Sequence, residues 1–174
     1  MLVIDGERVR LRDWRAGDIE GFARWMDPAA AWKRLDAPYY PLPDEAGRRE
    51  YVESRRTLAE STDLPTPRAS LVITETDSDR LIGQVSWYFE SRESDWRRMG
   101  ILLFDPATWG GGRGTEAIRL WTGYLFATTD AVRLDFATWS GNPACSASAA
   151  NSGSSRRPGS GTRERSTAAG TTVW

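Results

Sequence analysis

Histidine is absent from the chain and cysteine occurs once, as Cys145. Without histidine, any general base must be a carboxylate, a tyrosine, a cysteine or water. A single cysteine excludes an internal disulfide and fits a reducing compartment, so a cytoplasmic location is expected. Lysine is almost as scarce: Lys33 is the only one, and the other basic residues are arginine. We read that bias as GC-rich codon usage rather than chemistry. There is no apolar run long enough to span a bilayer. The first residues, MLVIDGERVRLRD, lack the layout of a signal peptide, so no membrane role is expected. A formal net charge of −1 gives no reason to expect a nucleic-acid partner. No metal site is expected either. The 174 residues suit one domain with a real core.

Glycine, by contrast, is concentrated where it matters. The stretch from Met99 to Ala127 reads MGILLFDPATWGGGRGTEAIRLWTGYLFA. Its apolar run, Ile101 to Phe104, has the make-up of a buried strand, ended by Asp105 and Pro106. Gly110, Gly111, Gly112 and Gly114 follow, and then Ala117, Ile118, Leu120, Trp121, Tyr124, Leu125 and Phe126 recur at helical spacing. This is strand, glycine loop, helix. Each glycine costs roughly 0.5–1 kcal/mol relative to alanine in ordered chain, so the cluster implies positive φ or a close approach. The loop opens a helix whose first N–H groups lack partners, which is a ready site for phosphate.

Three phosphate loops compete for this stretch. A Walker A loop needs Lys and then Ser or Thr after its last glycine, but Gly114 is followed directly by Thr115. Gly112 to Ala117 spells the dinucleotide fingerprint G-x-G-x-x-A, with Asp135 about 20 residues on. Yet several residues separate the strand from the first fingerprint glycine, and too little chain follows Asp135 for a doubly wound sheet. The third candidate is the acetyl-CoA loop of the GCN5-related N-acetyltransferases (GNAT), Gln/Arg-x-x-Gly-x-Gly/Ala. Trp109-Gly110-Gly111-Gly112-Arg113-Gly114 matches both of its glycine positions, with Trp109 in place of the usual Gln or Arg.

The segment DPATWGGGRGTEAIRLWTGYLF resembles the ribosomal-protein N-terminal acetyltransferase branch of that family. So does the opening VRLRDWRAGDIEGFARWM, and the resemblance runs from about Val9 to Asn142. It implies an α/β (α+β) fold, an acyl-CoA N-acyltransferase-like mixed sheet flanked by helices. It implies acetyl transfer from acetyl-CoA, as co-substrate, to a primary amine: a protein N-terminus or a small molecule. Gly110, Gly111, Gly112, Arg113, Gly114 and Thr115 would hold the pyrophosphate, with Trp109 at the base of the loop. Ile101, Leu102 and Leu103 would carry the pantetheine arm, and a backbone N–H near Ile101 or Leu102 would meet the oxyanion. Asn142 would contact the cofactor or position a water. Many relatives place a glutamate just before the central glycine, where this chain has Arg98. Glu90, Glu93 and Asp95 are the nearby acids, and Glu93 is taken with Asn142 as a catalytic candidate. Related enzymes are often dimers, so a homodimer is expected. Two other readings stay open: a CoA-binding domain without catalysis, and a dinucleotide-binding oxidoreductase domain.

Elsewhere the pattern predicts a strand over 8–12 and a helix capped by Asp18. A short turn or helix over 29–35 and a polar helix over 44–60 follow. Strands are predicted over 69–76, 81–89, 96–104 and 132–138. The resemblance puts the acceptor against the first two helices, where Trp25, Trp32, Tyr39 and Tyr40 could line it. From Pro143 the chain turns to Ser, Gly, Ala, Thr and Arg, which cannot bury enough apolar area to order itself. The expected division is therefore 1–142, an acetyltransferase domain lacking its last strands, and 143–174, a disordered tail. Ala150 to Ser154 can be encoded GCA-AAC-TCG-GGT-TC, which two bases downstream reads Lys-Leu-Gly-Phe. That is the turn such an enzyme should carry there, so a frameshift near codons 142–145 is expected, with activity lost through it.

Overall fold

The computed structural model describes residues 1–36, 43–139, 141–146, 155–157 and 163–167. Tyr39 and Tyr40 fall outside them. The strands are β1 (Val3–Asp5), β2 (Val9–Arg12), β3 (Ser70–Glu75), β4 (Leu81–Ser91), β5 (Trp96–Leu103), β6 (Arg133–Trp139), β7 (Ser155–Arg157) and β8 (Arg163–Thr167). The helices are α1 (Asp18–Trp25), α2 (Glu45–Glu60) and α3 (Arg113–Thr128). One mixed sheet runs β1-β2-β3-β4-β5-β6-β8-β7. Among the described strands only β5 and β6 are parallel, because α3 carries the chain back across the sheet between them.

Alternation along each strand sorts its side chains to two faces. Leu71, Ile73, Val85 and Met99 pack under α3 with Trp121 and Leu125. Val72 and Phe104 pack on the other face with Trp14, Phe22 and Trp32 beneath α1 and α2. Burying each such side chain contributes about 1.5–3 kcal/mol. Glu116 ties α3 to the first hairpin by accepting the N–H groups of Glu7 and Arg8 at 2.5 and 3.0 Å. Among the described residues, no helix is long and apolar enough to cross a membrane.

Two expectations need correction. Gly17, not Asp18, caps α1; Asp18 is its first helical residue. Its carboxylate accepts Arg12 at 2.8 and 2.9 Å and the Arg15 N–H at 2.8 Å, because a buried arginine claims it. The last strands are not missing: β8 pairs antiparallel with β6 from Asp135↔Thr167 to Trp139↔Arg163, and β7 pairs with β8. A ladder needs only backbone N–H and C=O groups, so the edge of β6 can order a polar segment that builds no core of its own.

Candidate active site

β5 and β6 pair over three positions only, Trp96↔Arg133, Arg97↔Leu134 and Arg98↔Asp135. Beyond them the strands part, and a cleft of about 500 Å³ opens between Met99–Leu103 and Phe136–Trp139. A buried ion pair sits at the fork. Arg98 donates to both oxygens of Asp135 at 2.8 and 3.1 Å, and Glu90 lies 2.6 Å from the same guanidinium. Burial alone would lower the Arg98 pKa, but Asp135 and Glu90 outweigh it and raise it. Asp135 is fully buried in this pair, so it cannot serve a ribose as a dinucleotide fingerprint requires. Arg98 closes the fork rather than lining the cleft.

The glycine loop stands at the open end. Gly110 and Gly112 both have φ of +79°, which L side chains avoid, and nothing lies within 4 Å of where a Cβ on either would project. Gly112 caps α3 without any side-chain hydrogen bond, so the first N–H groups of the helix face outward unclaimed by a cap. Trp109 forms the base of the loop, its indole N–H donating to the Leu103 carbonyl at 3.1 Å. Trp109, Gly110, Gly112, Gly114 and Thr115 line the cleft; Gly111 and Arg113 do not. Arg113 turns to Glu75 at 3.4 Å, across the hairpin where Arg80 also bridges Glu75 and Asp105. Arg80 holds both carboxyls below the ordinary range.

The opposite wall comes from three places. Trp32, Leu35 and Asp36 lie in and after a 3-10 turn, Ala31–Leu35. Tyr51 comes from α2, and Gln84 and Ser86 from β4. Trp139, Asn142 and Cys145 complete it. The Leu35 carbonyl accepts from both the Trp139 indole and the Asn142 amide at 3.0 Å, pinning the 3-10 turn to the end of β6. Asn142 Oδ1 also accepts the Cys145 N–H at 3.0 Å, so this side chain is a turn cap and a wall residue at once. Burial pushes the Cys145 thiol pKa up.

Of the residues singled out in the sequence, Ile101, Leu102, Leu103 and Asn142 meet the loop in this cleft. Glu93 does not. It lies in the exposed turn after β4, accepting the Ser91 hydroxyl at 3.0 Å, at the closed end of the β4–β5 hairpin. Strand β4 runs on to Ser91 and carries the turn away from the fork, so a catalytic role for Glu93 is corrected. Trp25 stacks on Phe104 at 6.4 Å in the core and is not a wall of the cleft, whereas Trp32 is. Tyr51, Gln84 and Trp139 were not picked out as site residues: their contacts cross from helix to sheet, and no local pattern announces them.

The sequence matches the family description "Acetyltransferase (GNAT) domain" over residues 8–154. The chain belongs to the GNAT acetyltransferase family. It is an N-acetyltransferase that uses acetyl-CoA as co-substrate and an amine as acceptor. The GNAT fold is repeated in solved structures. A ribosomal-protein-alanine acetyltransferase from Vibrio fischeri aligns with a TM-score of 0.73 at 15% identity, covering 96% of this chain and 95% of its own. A GNAT acetyltransferase from Bacillus anthracis gives 0.69 at 15%, covering 95% and 96%. RimL, a ribosomal alpha-N-protein acetyltransferase solved with coenzyme A disulfide-bonded to one of its cysteines, gives 0.68 at 12%, covering 95% and 96%. At these identities the likeness is one of fold. No curated protein matches the chain. The residues present fit coenzyme A: the two positive-φ glycines leave open space beside an uncapped helix start, as close approach of a pyrophosphate requires.

Proposed function

We propose that acetyl-CoA and the amine meet in the β5–β6 cleft from opposite faces of β5. The observation that carries this is the fork itself, opening directly onto the glycine loop. Met99, Ile101 and Leu103 belong to the α3 face and Leu102 to the α1/α2 face, yet all four line one cleft. The backbone N–H groups from Gly110 to Thr115 would hold the pyrophosphate, and the unpaired edge of β5 at Ile101–Leu103 the pantetheine. The acceptor enters beside Trp32, Tyr51 and Trp139. Its nitrogen attacks the thioester carbonyl carbon, the carbon–sulfur bond breaks, and the thiol leaves. A β5 backbone N–H near Ile101 or Leu102 meets the charge growing on the carbonyl oxygen. Asp36, paired with Lys33, is the one carboxylate among the described residues of the wall, and the amine's proton leaves past it to solvent. Isothermal titration with acetyl-CoA, CoA and NAD(H), followed by thiol release with amine and peptide acceptors, tests the reading. Tight NAD(H) binding without CoA binding would reverse it. CoA binding without thiol release from any amine would leave a binding domain.

The same reading takes in a cytoplasmic location, supported by the single cysteine, and a homodimer, carried over from the family and tested by sedimentation. It also divides the chain near Asn142. The frame-shifted Lys-Leu-Gly-Phe and the polar composition after Pro143 support a tail that is read out of frame, with reduced activity as the consequence.

A further inference from the structure

Tyr51 projects from α2 into the cleft wall, on the α1/α2 face that also carries Leu102. Its phenol oxygen lies 2.8 Å from Gln84 Nε2 and 2.8 Å from a terminal nitrogen of Arg55. A guanidinium carries no acceptor lone pair, so Arg55 can only donate. A second Arg55 nitrogen, Nε, lies 3.4 Å from Gln84 Oε1. That contact sets the Gln84 amide: flipped, its NH₂ would face the guanidinium donor to donor. Gln84 therefore turns its NH₂ to Tyr51, and Tyr51 accepts from both neighbours. The phenol's own O–H proton is left over, and no described residue accepts it. The Arg55 guanidinium also lies over the Tyr51 ring, 4.3 Å from its centroid. The result is a hydrogen-bond donor beside a positive charge, on the wall of the cleft.

Gln84 is the register partner of Leu102, so this hydroxyl stands over β5 where the amine is proposed to enter. We infer that the Tyr51 O–H, set by Arg55 through Gln84, binds an oxygen that the acceptor carries close to its amine. This would be the carbonyl or carboxylate oxygen of an α-amino acyl unit. The inference rests on the side of entry proposed above. A plain alkylamine offers nothing to this donor and leaves it unsatisfied, which is the costly arrangement. Two sources share the chemistry: a peptide N-terminus or amino-acid amide presents a carbonyl, and a free amino acid presents a carboxylate. Arg55 is a positioning residue; Tyr51 touches the acceptor.

Binding to the CoA-loaded full chain tests this without depending on turnover. By isothermal titration, L-alaninamide or L-alanine should bind roughly tenfold more tightly than isopropylamine, as one added hydrogen bond allows. Whichever of the two binds more tightly identifies the source. Tyr51→Phe should erase the preference while CoA affinity stays, which shows the fold and the glycine loop intact. Arg55→Met frees Gln84 to turn and take the phenol proton, so it should erase the preference too. Adding Gln84→Leu to Arg55→Met removes that competing acceptor and should restore it, an outcome a merely structural Arg55 would not give. Equal binding of all three amines by the unaltered protein, or a Tyr51→Phe protein that keeps the preference, overturns the inference. Failure of the unaltered protein to bind CoA overturns instead the reading of the cleft on which it rests.

Discussion

At Gly112 the backbone holds φ of +79°, and the same is true two residues earlier at Gly110. An L side chain in that conformation costs about 1–2 kcal/mol. It would also fill space that a pyrophosphate must enter. Gly112→Val should therefore lose CoA affinity by about tenfold or more, the conversion of that cost. The circular dichroism of the sheet should be unchanged. Isothermal titration reads the first and the spectrum the second; undiminished CoA binding would remove the loop from the site. A different residue-scale device holds the first hairpins. Asp79 accepts Arg12 at 3.0 Å, and also meets Arg15 and the Thr74 hydroxyl. Burial alone would raise the Asp79 carboxyl, but Arg12, Thr74 and Arg15 together bring it below the ordinary carboxylate value of 3.8. The unfolded chain then takes up protons first as the solution is acidified. Stability is complete above that value and is lost as pH falls through the lower, folded one. Arg12→Met should weaken this part of the acid sensitivity, leaving the share held by Arg15 and Thr74. It should also cost about 3–5 kcal/mol at neutral pH, because Asp18 stays buried without its cation. Urea melts at neutral and acid pH measure both effects.

At the scale of elements, the cleft exists because three pieces of chain are held apart and pinned. The fork is closed by Arg98 and Asp135, its loop side is braced by Trp109 on Leu103, and its far wall is pinned by two donors on the Leu35 carbonyl. Asn142→Ala removes two hydrogen bonds of that wall, each worth about 0.5–1.5 kcal/mol. We expect a stability loss of that order and a raised KM for the amine, with CoA affinity little changed, since the glycine loop lies at the other end. Denaturant melts and steady-state kinetics check it; a protein that loses CoA binding and keeps amine KM would contradict it. Most of these elements were legible in the residues. The polar helix expected over 44–60 forms as α2, with Asp44 as its cap accepting the Gly47 N–H at 2.8 Å, and β3 to β6 follow the apolar patterns closely. β1 was not legible, being three residues whose pairing with β2 is its reason to be a strand. Nor were β7 and β8, which carry no hydrophobic pattern: β8 pairs with the edge of β6, and β7 with β8.

At the scale of the whole molecule, the polar C-terminal segment adds β8 and β7 to the edge of the sheet. If the tail is read out of frame, a chain encoded in the shifted frame after codon 142 should be more soluble. It should also melt higher than the chain as written and release thiol faster with the same amine. Resequencing and a side-by-side expression decide it: a clean read of the present frame with a soluble, active product ends the idea. The sequence by itself determined the class of fold and of co-substrate. Apolar period placed the strands and helices and clustered glycine placed a phosphate loop at one strand-to-helix junction, while the fold class and acetyl-CoA came with the family resemblance of DPATWGGGRGTEAIRLWTGYLF and VRLRDWRAGDIEGFARWM. It also determined that no histidine could act as base. Which acids and donors line the cleft was decided by the tertiary structure alone. Glu93 is near β5 in sequence and far from the cleft in space, whereas Tyr51 and Asn142 are separated along the chain and share one wall. The reason is the sheet: strand register and the β5–β6 fork bring side chains together over long separations, and no short-range pattern encodes which of them will face the gap.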